Sequence, residues 1–232
     1  VTGPVTEAPR LSVVVPTLDA AAELPATLAA LQAESPAGLE ILVVDGGSAD
    51  ETAALAEAAG CRLLRTPPGR GPQLAAGAAA TAGEWLLFLH ADSRLQPGWA
   101  AAVEAFLQDP GNTEKAAYFR LRFDSEAAGA RRVERLANWR ARRLGLPYGD
   151  QGLLLSRALY QRLGGHPPWP LMEDVALVRR LGRRRLVALP VPLLTSAARY
   201  RRDGWWRRPL RNLARLTLYF LGVPPERLAR RY

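Results

Sequence analysis

The chain has 232 residues, 48% of them hydrophobic, and a formal net charge of +9. That length suits one α/β domain with a substantial core, burying roughly 70% of the unfolded chain's surface. A single cysteine, Cys61, excludes an intrachain disulfide and suits a reducing compartment. No run approaches the ~18 uncharged apolar residues of a membrane span, and the N-terminal stretch Val1 to Arg10 has no apolar signal core.

The charge is segregated. Residues 1–116 carry 6 basic and 14 acidic side chains, whereas residues 117–232 carry 25 basic and 8 acidic ones. Every basic residue except Lys115 is arginine. This asymmetry points to an anionic partner for the second half: a diphosphate, a lipid headgroup or nucleic acid.

Taken in order, Leu11 to Pro16 reads as a first buried strand with Thr17-Leu18-Asp19 as its exit loop. Glu23 to Ala33 has helical composition and is stopped by Ser35-Pro36-Ala37-Gly38. Leu39 to Asp45 is a second strand ending in a carboxylate. Gly46-Gly47 turns the chain, and Ser48 with Glu51 has capping-box spacing for the next helix. Cys61 to Arg65 is a short third strand. A rigid loop, Thr66 to Pro72, feeds an alanine-rich helix that Gly83 stops. Glu84 to Ser93 then opens with an apolar run as long as one buried strand and ends in His90-Ala91-Asp92. Pro97-Gly98-Trp99 starts a helix to about Gln108. Such alternation predicts a largely parallel sheet with helices on both faces. Right-handed crossovers then bring the loops at 17–19, 45–48 and 90–93 to one edge, where open α/β sheets bind ligands.

The second half reads differently. Ala117 to Asp124 alternates like a strand with one wet face. Ala127 to Leu144 is helical, with Val133, Leu136, Ala137, Ala141 and Leu144 as its apolar stripe and Gly145 as its cap. Leu146 to Gly152 is a loop suited to close ligand approach. Leu153 to Leu155 is a short strand, Ser156 caps a helix ending at Gly164-Gly165, and Glu173-Asp174 starts another helix. Leu186 to Leu194 returns as short extended segments. With no linker or repeat, the chain divides at about residue 116 without forming two independent domains.

Several residues carry chemistry. Asp92 and His90 lie at i and i−2, on one side of a strand end. The carboxylate offers oxygen to a hard divalent cation, and a cation bridging it to a diphosphate would neutralise charge developing on a leaving nucleotide. His90 is a ligand, a hydrogen-bond donor or a packed imidazole. Asp45 accepts from a base or ribose, caps the following helix, or does both. Arg70, between two glycines before a helix, suits phosphate or base contact. Gly69 and Gly71 lack the third glycine of a dinucleotide fingerprint, which rejects a Rossmann dehydrogenase. Glu173-Asp174 is either a general base with a supporting neighbour or a helix start using two acids for its dipole.

Together these residues resemble glycosyltransferase family 2 on a GT-A fold. Val13-Val14-Val15-Pro16-Thr17, Val43-Val44-Asp45-Gly46-Gly47-Ser48-Ala49-Asp50, Leu87-Phe88-Leu89-His90-Ala91-Asp92 and Met172-Glu173-Asp174-Val175-Ala176-Leu177 stand in the family's order and spacing. A narrower likeness rests on Gly69 to Gln73, Gly149-Asp150-Gln151-Gly152, Trp169 to Asp174 and Leu221 to Ala229. It is to the small bacterial subgroup labelled arsenosugar-biosynthesis or selenodomain-associated glycosyltransferases. The resemblance implies an α/β, GT-A fold: a mostly parallel central sheet with helices on both faces, a smaller acceptor-side region and a C-terminal helix. Residues 1–116 would form the nucleotide-sugar half and 117–232 the acceptor half of one continuous domain. Thr17, Asp19 and Asp45 would hold the nucleoside, with Arg70 near the base or diphosphate and Asp150 and Gln151 also on the donor side. Asp92, with His90, would bind Mn2+ or Mg2+, and Asp174, beside Glu173, would be the base of an inverting displacement onto a hydroxyl acceptor, a small molecule or a lipid. The expected donor is a UDP-sugar. Two departures stand out: His90 replaces the usual first carboxylate of the DXD-type motif, which weakens metal binding, and Ala75-Ala76 stand where many members carry Arg or Asn.

The C-terminal segment mixes arginine with tryptophan over Arg199 to Arg208, followed by Leu210, Leu213, Ala214, Thr217 and Leu221 at helical spacing. A terminal helix that docks on its own domain or forms a homodimer is the favoured reading of 199–222, and an anionic membrane surface is the other. No motif supports nucleic acid. The expected location is the cytoplasm, including the inner face of the membrane. Two other functions fit less well. A sugar-phosphate nucleotidyltransferase needs a glycine-rich, basic loop after the first strand, absent from Val15 to Asp19. A non-catalytic anion- or membrane-binding module would bind no nucleotide.

Overall fold

The computed structural model describes residues 9–229; the rest of the stretch Val1 to Arg10 lies outside the described residues. Among the described residues, eight strands form one sheet in the order β3-β2-β1-β4-β7-β6-β8-β5. The strands are β1 (Leu11–Thr17), β2 (Leu39–Asp45), β3 (Arg62–Arg65), β4 (Trp85–Phe88), β5 (Ser93–Leu95), β6 (Ala116–Phe123), β7 (Leu153–Ser156) and β8 (Leu186–Thr195). The first four pair in parallel. β7 runs antiparallel to both β4 and β6.

The valine-rich β1 is buried on both faces, and its alternation splits the core. Val13 and Val15 pack with Leu24, Leu28 and Leu31 of α1 (Leu24–Ala33) and with Trp99 and Phe106 of α4 (Trp99–Gln108). Val14, with Val44 of β2, faces Leu74 and Ala78 of α3 (Arg70–Ala80) and Leu177 and Leu181 of α7 (Glu173–Leu181). Both faces of the sheet are therefore covered, as the near-continuous hydrophobic runs required. Gly77 lets α3 lie directly on the sheet, because a Cβ there would sit 2.4 Å from Val14 Cγ1.

The structure corrects the local reading in five places. The apolar run after Glu84 is only partly strand: it turns after Phe88, with Ser93 N–H donating to His90 O at 3.1 Å, and an unforeseen strand, β5, follows. β5 pairs antiparallel with the end of β8, which is one long strand rather than short segments. The capping box before α2 (Thr52–Ala58) does not form. Asp50 Oδ1 accepts from Thr52 N instead, at 3.0 Å, because Ser48 is engaged by Asp45. In α5 (Ala128–Leu144), Val133, Ala137 and Ala141 are buried as expected, but Leu136 and Leu144 are exposed. α9 (Arg207–Phe220), after the short α8 (Ala198–Asp203), buries Arg208, Arg215 and Leu216, not the apolar stripe expected to dock. Ser156, by contrast, caps α6 (Arg157–Arg162) as read, its Oγ accepting from Leu159 N at 3.1 Å.

Candidate active site

The cleft opens along the carboxyl ends of β1 and β4. Thr17 and Asp45 are register partners at the ends of β1 and β2. Thr17 Oγ1 donates to Asp45 Oδ1 at 3.2 Å, and Asp45 Oδ2 accepts from the N–H groups of Gly47 and Ser48 at 3.2 and 3.1 Å. Asp45 is therefore buried and occupied in holding the turn. It stands behind the cleft wall, not on it. Gln73 braces the same corner: its Nε2 donates to Thr17 O at 2.7 Å and Val44 O at 2.8 Å. Asp19 adopts a left-handed backbone, φ 47°, and its Oδ1 accepts from Ala49 N at 2.8 Å.

Two neighbouring cavities share Arg70, His90, Asp92, Leu171 and Arg199 in their walls. The outer one, about 360 Å³, is lined also by Thr17, Asp19 and Gln73. Its size falls within the range of small-molecule sites. The inner one, about 120 Å³, adds Asp150, Asp174, Tyr148 and Tyr200, with Arg208 and Arg215 from α9. Two non-glycine residues have left-handed backbone among the described residues, Asp19 and Met172 (φ 66°), and both border this space. Backbone strain of this kind gathers at functional clefts.

Glu173 and Asp174 begin α7 but face different ways. Glu173 is fully buried and forms an ion pair with Arg70 Nε, and burial lifts its carboxyl above the ordinary range although Arg70 opposes the shift. It is absent from both cavity walls, so its place is that of a brace for Arg70. Asp174 lines the inner cavity. Its Oδ2 accepts from Gly149 N at 2.8 Å and its Oδ1 from Val175 N at 2.7 Å. A carboxylate oxygen has a second lone pair, so both bonds leave acceptor capacity for a hydroxyl proton.

His90 packs directly on Gly149, where a Cβ would lie 2.4 Å from its Nε2 and 3.5 Å from Asp174 Oδ2. Burial, with Arg70 nearby, lowers its pKa to about 4 against the opposing pull of Asp92 and Asp174. The imidazole is therefore neutral near pH 7 and has a lone pair to offer. Asp92 Oδ1 and Asp150 Oδ1 are buried and have no hydrogen-bond partner among the described residues. Desolvation raises Asp150 to about 6, with Arg140 opposing and Asp174 and Asp92 reinforcing. Gln151 is fully buried and lines neither cavity. Its Nε2 donates to Phe119 O at 3.2 Å, which makes it a core bracket instead of a donor contact.

Orphaned carboxylate oxygens beside a neutral imidazole suit a hard divalent cation. Among the described residues no three His, Cys, Asp or Glu side chains converge as a complete cage. The set is partial, as fits a cation that takes its remaining ligands from phosphate and water.

Residues missed from the sequence are Arg199, Tyr200, Arg208 and Arg215. They come from the basic-aromatic C-terminal segment, whose composition signalled an anionic partner but not its place in the cleft.

The family model of glycosyl transferase family 2 matches residues 12–157. The chain belongs to glycosyl transferase family 2. The match covers the strand ends that build the cleft, and α7 and α9 lie beyond it. Solved structures agree on the fold. Staphylococcus aureus TarS superposes with a TM-score of 0.66 at 17% identity, over 81% of this chain and 36% of that one. Glucosyl-3-phosphoglycerate synthase from Mycobacterium tuberculosis, solved with Mn2+, UDP and glucosyl-3-phosphoglycerate, gives 0.59 at 23% identity, over 80% and 70%. This GT2 chain thus has the GT-A architecture. A PGL/p-HBAD biosynthesis glycosyltransferase of M. tuberculosis is 38% identical over 108 residues, 43% of this chain and 42% of the relative. The match thus spans less than half of the curated relative's length. Among the described residues, no helix is long and apolar enough to cross a membrane.

Proposed function

We propose that the cleft transfers a sugar from a nucleoside-diphosphate donor, a UDP-sugar, to a hydroxyl acceptor with inversion. The observation that carries this reading is that Asp92 and Asp174, 82 positions apart in the chain, line one cavity with Arg70. Thr17 and Asp19 border the outer cavity, where the nucleoside would lie, and Asp45 supports them from behind. Asp92 and Asp150 would hold Mn2+ or Mg2+, with His90 as a neutral neighbour. Such a cation neutralises charge building on the leaving diphosphate. Arg70 lines both cavities and adds a second positive group for those oxygens.

In the transfer step the acceptor oxygen bonds to the anomeric carbon as the bond from that carbon to the diphosphate oxygen breaks. The acceptor's proton passes to Asp174, and the electron pair leaves with the nucleoside diphosphate. Solved neighbours bound to UDP or UDP-glucose with Mn2+, and one bound to UDP-N-acetylglucosamine, support the donor and metal classes.

Calorimetry with UDP, with and without Mn2+, tests the donor side. A donor screen by nucleotide release, followed by mass spectrometry of products, tests the reaction. UDP binding strengthened by Mn2+ is expected; no binding under either condition would remove the reading.

A further inference from the structure

Helix α9 has two distinct faces. Arg208, Asn212 and Arg215, at i, i+4 and i+7, line the inner cavity. The opposite face is apolar and uncovered: Leu210 is 62% exposed, Leu213 58% and Leu221 75%, flanked by Trp206 at 58% and Phe220 at 46%. Spacings of four, three and seven place Trp206, Leu210, Leu213 and Phe220 along one stripe. Solitary exposed leucines need no explanation, but a continuous row of large apolar side chains does.

The charge around this row is mostly positive: Asp203, at the end of α8, is shared by Arg202, Arg208 and Arg211. No Asp or Glu occurs between Gly204 and Pro225, and Arg207 and Arg211 are exposed beside the stripe. α5 extends the same character. Its Arg132 guanidinium lies 5.6 Å from the Trp206 ring, and its outer surface exposes Leu136 and Trp139 together with Arg132, Arg135 and Arg143. The whole face thus combines leucine and tryptophan with arginine, across two helices separated by more than 60 positions in sequence.

We infer that the outer face of α9, with the adjoining arginine row of α5, docks on an anionic lipid bilayer. Leucine and phenylalanine would enter the acyl boundary, roughly 5–10 Å deep. Trp206 has the amphipathic ring that settles at headgroup level. Each surface arginine would gain about 1 kcal/mol from the negative leaflet. A second copy fits less well, since a two-fold contact through α9 would set arginine rows against each other with no acid between residues 204 and 225. Nucleic acid would reward the arginines but not the leucines. The inference is independent of the sugar-transfer reading, because docking is read without donor or acceptor.

The test is flotation of the full chain with vesicles of phosphatidylcholine alone and of phosphatidylcholine mixed with phosphatidylglycerol. The expected result is binding to the mixed vesicles only, weakened by salt. The double variant Leu210→Glu/Leu213→Glu should abolish it while keeping the parent melting curve, because both residues are exposed. Arg132→Gln and Arg207→Gln should each weaken it about fivefold, the equivalent of about 1 kcal/mol. Failure to float with mixed vesicles would overturn the inference, as would unchanged binding by the double variant. A parent dimer in light scattering that the double variant converts to monomer, without flotation, would assign the face to self-association and also overturn it.

Discussion

Glu173 grips Arg70 across 103 positions of sequence, joining the first turn of α7 to the first turn of α3. The carboxylate is fully buried and the guanidinium is half-buried on the cleft wall. An acid that lines neither of the two cleft cavities thereby sets the position of a cation that lines both. Glu173→Gln keeps the shape and removes the charge. The expected outcome is weaker UDP binding by calorimetry and a stability loss of about 1–3 kcal/mol by denaturant melting. Unchanged affinity and stability would show that the pair does not position Arg70.

Asp174 and Glu173 should separate in kinetics. Asp174→Asn removes the proton acceptor in the inner cavity but leaves the outer cavity intact. Turnover should fall about 10²–10⁴-fold, with the donor dissociation constant unchanged. Turnover equal to the parent's would exclude Asp174 as the base.

Metal binding should depend on two carboxylates distant in sequence. Titration of Mn2+ in the presence of UDP should show roughly 10–100-fold weaker affinity in Asp92→Asn and in Asp150→Asn. Gln151→Ala should leave that titration unaltered and lower the melting temperature instead, because Gln151 spans the core between Phe119 and Asn138.

Gly149 has a steric assignment. Alanine there would put a methyl 2.4 Å from His90 Nε2, within a cleft whose Asp174 also bonds Gly149 N. Overpacking of this kind costs about 1–3 kcal/mol. Gly149→Ala should therefore lose stability and UDP-dependent Mn2+ binding together. Loss of neither would mean that the loop moves freely away from His90.

His166 supplies a pH signature from the wall behind the cleft. It is buried edge-on to Phe88, with its Nδ1 3.1 Å from Tyr160 Oη, and burial lowers its pKa to about 3. A histidine whose folded pKa lies below its unfolded value contributes stability above about pH 6.5 that is lost as pH falls toward 3. The expected slope is about 1.4 kcal/mol per pH unit for one proton across that window. His166→Phe should flatten the acid limb of the melting temperature against pH. An unchanged limb would assign it to other groups.

Part of the site is legible in the sequence. Thr17, Asp19, His90 and Asp92 follow strands whose hydrophobic runs announce themselves, and a parallel sheet delivers its strand ends to one edge. All four line the cleft. Asp150, Arg70 and Asp174 also reach it. Asp45, Gln151 and Glu173 do not: each is a polar residue within a motif, and each is buried as a brace. Adjacent acids at a helix start diverge by about 100°, so only knowledge of which side meets the core distinguishes Glu173 from Asp174. Arg199, Arg208 and Arg215 stand in no motif, and composition alone cannot place them.

What the sequence determined by itself was the alternation of strands and helices from β1 to β4, the wrapping of the sheet on both faces and the convergence of the first three loops. These follow from local periodicity and from the handedness of crossovers, which need no knowledge of distant residues. Only the tertiary structure decided which face of α9 turns inward, and with it that the arginines line the cleft while the leucines meet solvent. Two faces of a helix carry the same local propensity, and the surface each meets is supplied by segments far away in the chain.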